Sequence, residues 1–235
     1  IDEGLVGSEM CIRDSQSTVL SYYNRYLQTA GGYLKKTPFS DLRVFDMVRA
    51  ALPQNTHLQI ANSSAVRYIQ LFDLPTGTEV FCNRGTAGID GSTATAMGAA
   101  QINPKKTVLI TGDLSFFYDV NGLWNDYIPR DTRIIVINSQ GGGIFRILPG
   151  DKDTPKYDTY FETIHNRNFK NVAKSFGLGY KHVKTKWGLK QVLKSFFKQS
   201  AKAKILEIST PRKINNVVLL DYFKAMVKNE LNQQL

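Results

Sequence analysis

Thr107-Val108-Leu109-Ile110-Thr111-Gly112-Asp113-Leu114-Ser115 is the stretch on which the reading of this chain turns. Val108, Leu109 and Ile110 are apolar without alternation, the pattern of a strand covered on both faces in a parallel sheet. The run stops at Gly112, and a carboxylate follows at once. Ile134-Ile135-Val136-Ile137 repeats the pattern and also ends in a polar turn, Asn138-Ser139-Gln140-Gly141-Gly142-Gly143. Outward from this pair, shorter strand candidates at 58–61, 79–82 and 205–209 alternate with helical segments. The pattern predicts an α/β fold with an open, mainly parallel sheet and helices on both faces.

The flanks fit the same picture. Val19, Tyr22, Tyr23, Tyr26 and Leu27 keep helical spacing over 17–30, where Gly31-Gly32 should stop the helix. A second helix is expected with Ser40 as its cap, Leu42, Phe45, Val48 and Leu52 as its buried stripe, and Pro53 beyond its end. After the second strand, Gly91, Ala94, Ala96, Gly98, Ala99 and Ala100 keep one helix surface small enough to lie close to a neighbour. Tyr118 and Trp124 flank the helix after Asp113 and are expected to pack. Residues 1–15 have no clear period and are read as a leader foreign to the domain, which then runs over 16–235.

Composition narrows the class. With 235 residues, 42% hydrophobic and 21% charged, the chain can bury a core without disulfides or structural metal. No apolar run approaches the roughly 20 residues of a membrane span, and no basic-then-apolar leader is present, so a cytoplasmic protein is expected. Cys11 and Cys82 lack the spacing of a zinc site and are read as reduced thiols. The net charge of +10 is local, because residues 170–204 hold ten lysines and no acid. Lys186, Lys190, Lys194, Lys198 and Lys202 recur every fourth residue, opposite Leu189, Val192, Leu193, Phe196 and Phe197, which predicts an amphipathic helix with a solvated lysine face. A nucleic-acid surface would normally add arginine or exposed aromatics, so no nucleic-acid partner is expected.

Open α/β sheets bind ligands beyond the carboxyl ends of their strands. The four turns there are Asn62-Ser63-Ser64, Asn83-Arg84-Gly85, Gly112-Asp113-Leu114-Ser115 and residues 138–143. Glycine-rich backbone suits phosphate oxygens, and a carboxylate beside accessible carbonyls suits a hard cation such as Mg²⁺. Alone, Asp113 would more often be a helix cap; the second polar turn at the same sheet edge favours a metal. His57, His165 and His182 have no spacing relation to Asp113 or the glycine run and are read as structural or surface residues. The polar, proline-interrupted stretch 150–160 is a candidate lid.

Gly112-Asp113, followed about 25 residues later by Asn138 and glycines, resembles the thiamine-diphosphate motif. The segments at 61–67, 83–91, 112–123 and 141–149 are more specific. In this order they resemble the 2-succinyl-5-enolpyruvyl-6-hydroxy-3-cyclohexene-1-carboxylate synthases of menaquinone biosynthesis, over essentially 16–235. The resemblance implies the thiamine-diphosphate-binding fold, in the last of three domains, with the pyrimidine-binding and central domains absent here. It implies thiamine diphosphate and Mg²⁺ (or Mn²⁺) as cofactors, with Asp113, Ser139 and the Gly141 carbonyl at the metal. Asn62, Ser63, Gly112, Leu114 and Ser115 would lie near the diphosphate, Ile89 would prop the bent cofactor, and Ile144 would line its pocket.

Arg67, Arg84, Phe145 and Leu148 are implied to bind substrate, a guanidinium fork being suited to carboxylates. The implied reaction decarboxylates 2-oxoglutarate and adds the product to isochorismate. The activating glutamate would lie on an absent domain, so no catalytic residue is assigned here, and the chain alone is expected to turn over little or nothing. A homo-oligomer, dimer or tetramer, is implied for the whole protein. Ser139 departs from the motif, which carries a second asparagine there, and weaker metal retention is expected. Another thiamine-diphosphate enzyme, such as an acetolactate synthase or a 2-oxoacid decarboxylase, is the alternative; a basic nucleic-acid-binding module is a more distant one.

Overall fold

The structure, a computed structural model, describes residues 9–150, 152 and 154–231. Much of the leader expected over 1–15 lies outside the described residues, as do parts of the candidate lid.

The chain divides into two compact units. The larger, Pro38–Val217, is built on a six-stranded sheet of β1 (His57–Ile60), β2 (Glu79–Phe81), β3 (Thr107–Gly112), β4 (Arg133–Asn138), β5 (Gly179–Val183) and β6 (Lys204–Ser209), in the order β2-β1-β3-β4-β6-β5. Every pairing is parallel. The two decisive apolar runs form β3 and β4, next to each other at the centre and buried along nearly their whole length. The five expected strands are present to within a residue or so at each end.

One strand escaped the sequence reading. β5 is Gly-Tyr-Lys-His-Val, an edge strand with Lys181 and His182 exposed, and it shows no apolar run because only part of it is covered. Polar residues of this kind protect an edge from pairing with another chain. All three residues of the opposite edge, β2, are exposed.

Helices α4 (Ser92–Ile102), α5 (Asp113–Tyr118) and α6 (Phe169–Ser175) cover one face. Ala96, Met97, Phe116, Phe169 and Ala173 pack there against Leu109, Ile134, Val136 and Ile205. Full burial of each large apolar side chain contributes about 1.5–3 kcal/mol. The small surface of α4 has the expected use, since a Cβ on Gly122 would sit 2.7 Å from the Ala94 backbone. On the other face lies α7 (Lys186–Phe196), whose end accepts bonds from the Arg133 side chain; α2 (Asp41–Ala51) packs on α7 and on α3 (Ser64–Ile69).

Three expectations for this unit are corrected. Ser40 precedes α2, but its hydroxyl donates to Pro38 O instead of capping the helix; the Asp41 N–H is taken by Asn215 Oδ1. The lysine periodicity overruns its helix: α7 ends at Phe196, so Lys198 and Lys202 lie beyond it, while Lys186, Lys190 and Lys194 are exposed on it as expected. Tyr118 and Trp124 do not pack within the unit, being 64% and 80% exposed.

The smaller unit consists of α1 (Glu9–Lys36) and α8 (Asn215–Leu231) from Val218 onward. Here too a prediction is corrected, because α1 runs through Gly31-Gly32 for a further turn. Two mid-helix glycines cost about 1 kcal/mol each relative to alanine. Contacts beyond them offset this: Leu34 is buried and Tyr33 Oη donates to Val218 O at 3.0 Å. Tyr26 and the fully buried Tyr222 share a 2.6 Å hydrogen bond. Among the described residues no helix is long and apolar enough to cross a membrane.

Candidate functional site

The chain leaves β1 toward β2 on one side of the sheet and returns to β3 on the other, so β1 and β3 flank a topological switch point. A crevice opens there because the connections diverge. It holds a cleft with about 150 Å³ of solvent-accessible volume, lined by Asn62, Ser63, Ile89, Gly112, Asp113, Leu114, Ser115, Ser139, Gly141, Ile144 and Phe145, among others. The predicted cofactor and metal residues thus come together at one place.

The centre of the site is a chain of hydrogen bonds between two turns. Asp113 is buried; its Oδ1 accepts the Leu114 N–H at 2.7 Å and its Oδ2 the Gly141 N–H at 2.9 Å. Ser139 Oγ donates to Gly141 O at 3.1 Å. All three expected metal ligands are therefore linked directly. Gly141 has φ +148, and a Cβ there would lie 2.5 Å from Glu162 O, so only glycine lets the turn approach this closely. The same carbonyl accepts the Gly142 N–H at 2.6 Å. Glu162 is fully buried, pairs with Arg146, and accepts Arg212 Nη1 at 2.9 Å, which fixes the segment behind the glycines.

Backbone strain gathers at the same edge. Ser63, Ala87 and Gln140 have φ of 67, 55 and 64 without being glycine. Such conformations cost on the order of 1–3 kcal/mol each and persist where surrounding contacts hold them.

Two predicted residues support the site rather than offer it free polar atoms. Ser115 Oγ donates to Ile89 O at 2.6 Å, buttressing the apolar residue expected to prop the cofactor. Asn62 Nδ2 donates to Asn83 O and Gly88 O, and its Oδ1 accepts Arg84 Nη1 at 2.8 Å, clamping the turns after β1 and β2 together. Arg67 and Arg84 are exposed and outside the cleft lining; Arg67 Nη1 donates to Ser63 O. Each is tied to a residue of the cleft wall, and among the described residues neither has an acidic partner within salt-bridge distance. Leu148 is 53% exposed and does not line the cleft. Cys82, a free thiol, donates to Asn62 Oδ1; burial pushes it up, against the lowering effect of Arg84.

The sequence reading missed two residues of this neighbourhood. Asp41, at the start of α2, lines the cleft and is pushed up to about 7, chiefly by burial. In the sequence it looks like an ordinary acid in a first helical turn. His165 is corrected from a residue unrelated to Asp113: its Nε2 lies 3.4 Å from Asp113 Oδ2. Within the candidate lid, Tyr157 is buried with Arg146 over its ring.

A family model described as "Thiamine pyrophosphate enzyme, C-terminal TPP binding domain" matches residues 61–208. The chain belongs to this family. The 2-succinyl-5-enolpyruvyl-6-hydroxy-3-cyclohexene-1-carboxylate synthase of Flavobacterium psychrophilum is 51% identical over 85% of this chain and 36% of its own length. Proteins of the same name from Christiangramia forsetii and Porphyromonas gingivalis are 47% and 41% identical, over 83% and 81% of this chain and 34% and 33% of theirs. The chain spans about a third of the length of these relatives.

The residues present fit the family's TPP and a cation. The donor set is all oxygen, which suits Mg²⁺. It has one carboxylate, and no group of three His, Cys, Asp or Glu among the described residues could hold a metal by itself. Mg²⁺ is commonly held by one or two carboxylates together with phosphate oxygens, so a diphosphate completes such a set.

Proposed function

We propose that this chain is the diphosphate-binding part of a 2-succinyl-5-enolpyruvyl-6-hydroxy-3-cyclohexene-1-carboxylate synthase. Residues 16–235 form that domain, and a longer, cytoplasmic, homo-oligomeric protein supplies the pyrimidine-binding domain with its activating glutamate. The whole protein decarboxylates 2-oxoglutarate and adds the product to isochorismate. One observation carries the reading: Asn62, Ser63, Asp113, Ser139 and Gly141 meet in a single cleft at the switch point, with Arg67 and Arg84 tied to its wall.

Asp113, the Gly141 carbonyl and Ser139 would hold the cation, and backbone N–H groups of the glycine turn would bind the diphosphate. Ile89, Ile144 and Phe145 provide apolar surface for the rings and exclude water. When bound, thiamine diphosphate supplies an electron sink for the pair released as a 2-oxoacid loses CO₂. Arg67 and Arg84 keep donors free to pair with substrate carboxylates and orient the dicarboxylate. This last point favours 2-oxoglutarate over the pyruvate used by acetolactate-type enzymes.

The deciding experiment assays the whole protein, with its upstream domains, on 2-oxoglutarate plus isochorismate and on pyruvate. Turnover of the first pair supports the reading; turnover of pyruvate alone transfers the chain to the acetolactate-type alternative.

A further inference from the structure

We propose that His165 is a positioning residue of the metal site: its Nε2–H holds Oδ2 of Asp113, so that Oδ1 is the oxygen presented to the cation. The inference rests on the reading of Asp113 as the acidic metal ligand.

The tautomer follows from a neighbour. The backbone N–H of Arg167 donates to His165 Nδ1 at 3.2 Å, so Nδ1 uses its lone pair as an acceptor. In the neutral ring the proton then sits on Nε2, which is a donor. That atom is buried and has no hydrogen-bond partner among the described residues. Its near acid is Asp113 Oδ2 at 3.4 Å, close enough to bond but not aligned. A buried donor left unmet is unfavourable, and a small turn of the ring onto Oδ2 removes that penalty. The edge contact with Phe117, at a centroid distance of 5.7 Å, holds the ring's position.

The placement separates positioning from direct ligand contact. Asp113 lines the cleft and His165 does not, so the imidazole stands behind the carboxylate. Each carboxylate oxygen has two acceptor sites. Oδ2 has the Gly141 N–H on one and His165 facing the other, whereas among the described residues Oδ1 accepts only the Leu114 N–H. The open site is therefore on Oδ1. Outer hydrogen-bond partners of this kind typically alter metal affinity by about 10–100-fold.

The test uses the whole protein, with its upstream domains, and Mn²⁺ as probe, read by electron paramagnetic resonance in the presence of thiamine diphosphate. His165→Leu, which removes the donor, should weaken Mn²⁺ binding by ~10-fold. His165→Gln, which can return an N–H, should recover most of it. Thermal unfolding in chelator should be the same for all three proteins, and ¹⁵N NMR of the unaltered chain should place the proton on Nε2. Unchanged Mn²⁺ affinity in His165→Leu, equal losses in both variants, or a proton on Nδ1 would each overturn the inference. Asp113→Asn separates the two levels of argument. If it abolishes Mn²⁺ binding while His165→Leu changes nothing, only the role of His165 fails; if it leaves binding intact, or the unaltered whole protein binds no Mn²⁺, the metal-site reading fails with it.

Discussion

At the scale of single residues, the cleft is set by carboxyl groups in contrasting surroundings. Asp113 is met by backbone donors on both oxygens. Asp41 is buried, accepts Thr210 Oγ1 at 2.6 Å, and is pushed up to about 7 by burial. The Thr210 bond opposes that rise, the Asp113 charge adds to it, and Asn215 opposes it more weakly. Because its folded value lies above the unfolded 3.8, the native state holds more protons between about pH 4 and pH 7, and stability falls as pH rises through that window. Relative to Asp41→Asn, which does not titrate, the unaltered chain should lose up to about 4 kcal/mol of unfolding free energy across it. Urea melts of both proteins at several pH values measure this, and a pH-independent difference would refute it. Ser139 allows a second prediction. Its hydroxyl, which donates its proton to Gly141 O, is a poorer Mg²⁺ ligand than an amide oxygen. Ser139→Asn should tighten Mg²⁺ binding several-fold in a titration with thiamine diphosphate present; no gain would remove Ser139 from the metal set.

Among the secondary-structure elements, α7 shows how a buried cation anchors a helix without an acid in close contact. Arg133 is fully buried at the start of β4, with Nε donating to Phe196 O at 2.7 Å and Nη2 to Lys198 O at 2.6 Å. Lys106 Nζ donates to Phe197 O at 2.5 Å. Three carbonyls at and beyond the end of α7 thus receive cationic donors, where the helix dipole is negative. Asp131 stands 3.8 Å away. Burial, foremost, lowers the Arg133 and Lys106 values from their ordinary ones. Arg133→Met keeps volume but strands the Phe196 and Lys198 carbonyls, and should cost about 3 kcal/mol, the scale of losing charged hydrogen bonds in the interior. A loss under about 1 kcal/mol in urea unfolding would show that water replaces the guanidinium. This pairing was invisible in the sequence: Arg133 reads as the polar start of an apolar strand, and only the fold brings the end of α7 to it.

For the whole molecule, the prediction concerns substrate. Arg84 is bound to Asn62 through Nη1 and lies on an exposed turn, where its side chain has no other hydrogen-bond partner among the described residues. In the whole protein, Arg84→Lys should raise the 2-oxoglutarate requirement by ~10-fold or more, with one charge-assisted bond at stake. An unchanged requirement would return Arg84 to a purely structural role as partner of the Asn62 clamp. Exposed Tyr118, Trp124 and Tyr127 lie on the same unit, unpacked by it. The expectation that two of these aromatics pack within the domain failed because apolar type reports a preference for burial, not which surface provides it.

Much of the fold was legible in advance. Continuous apolar runs ending in polar turns specify covered parallel strands, and the turns after β1, β3 and β4 carry Asn62, Ser63, Asp113, Ser139 and Gly141 in local motifs. These features survive because strand burial and turn chemistry are properties of a few adjacent residues. Asp41 and His165 were not legible as parts of the site. They come from a helix and a loop far along the chain, and parallel strands are joined by long crossovers, so neighbours in the cleft need share no spacing in sequence. The same reason applies to β5, whose strand character depends on pairing with β6 and not on an apolar run of its own.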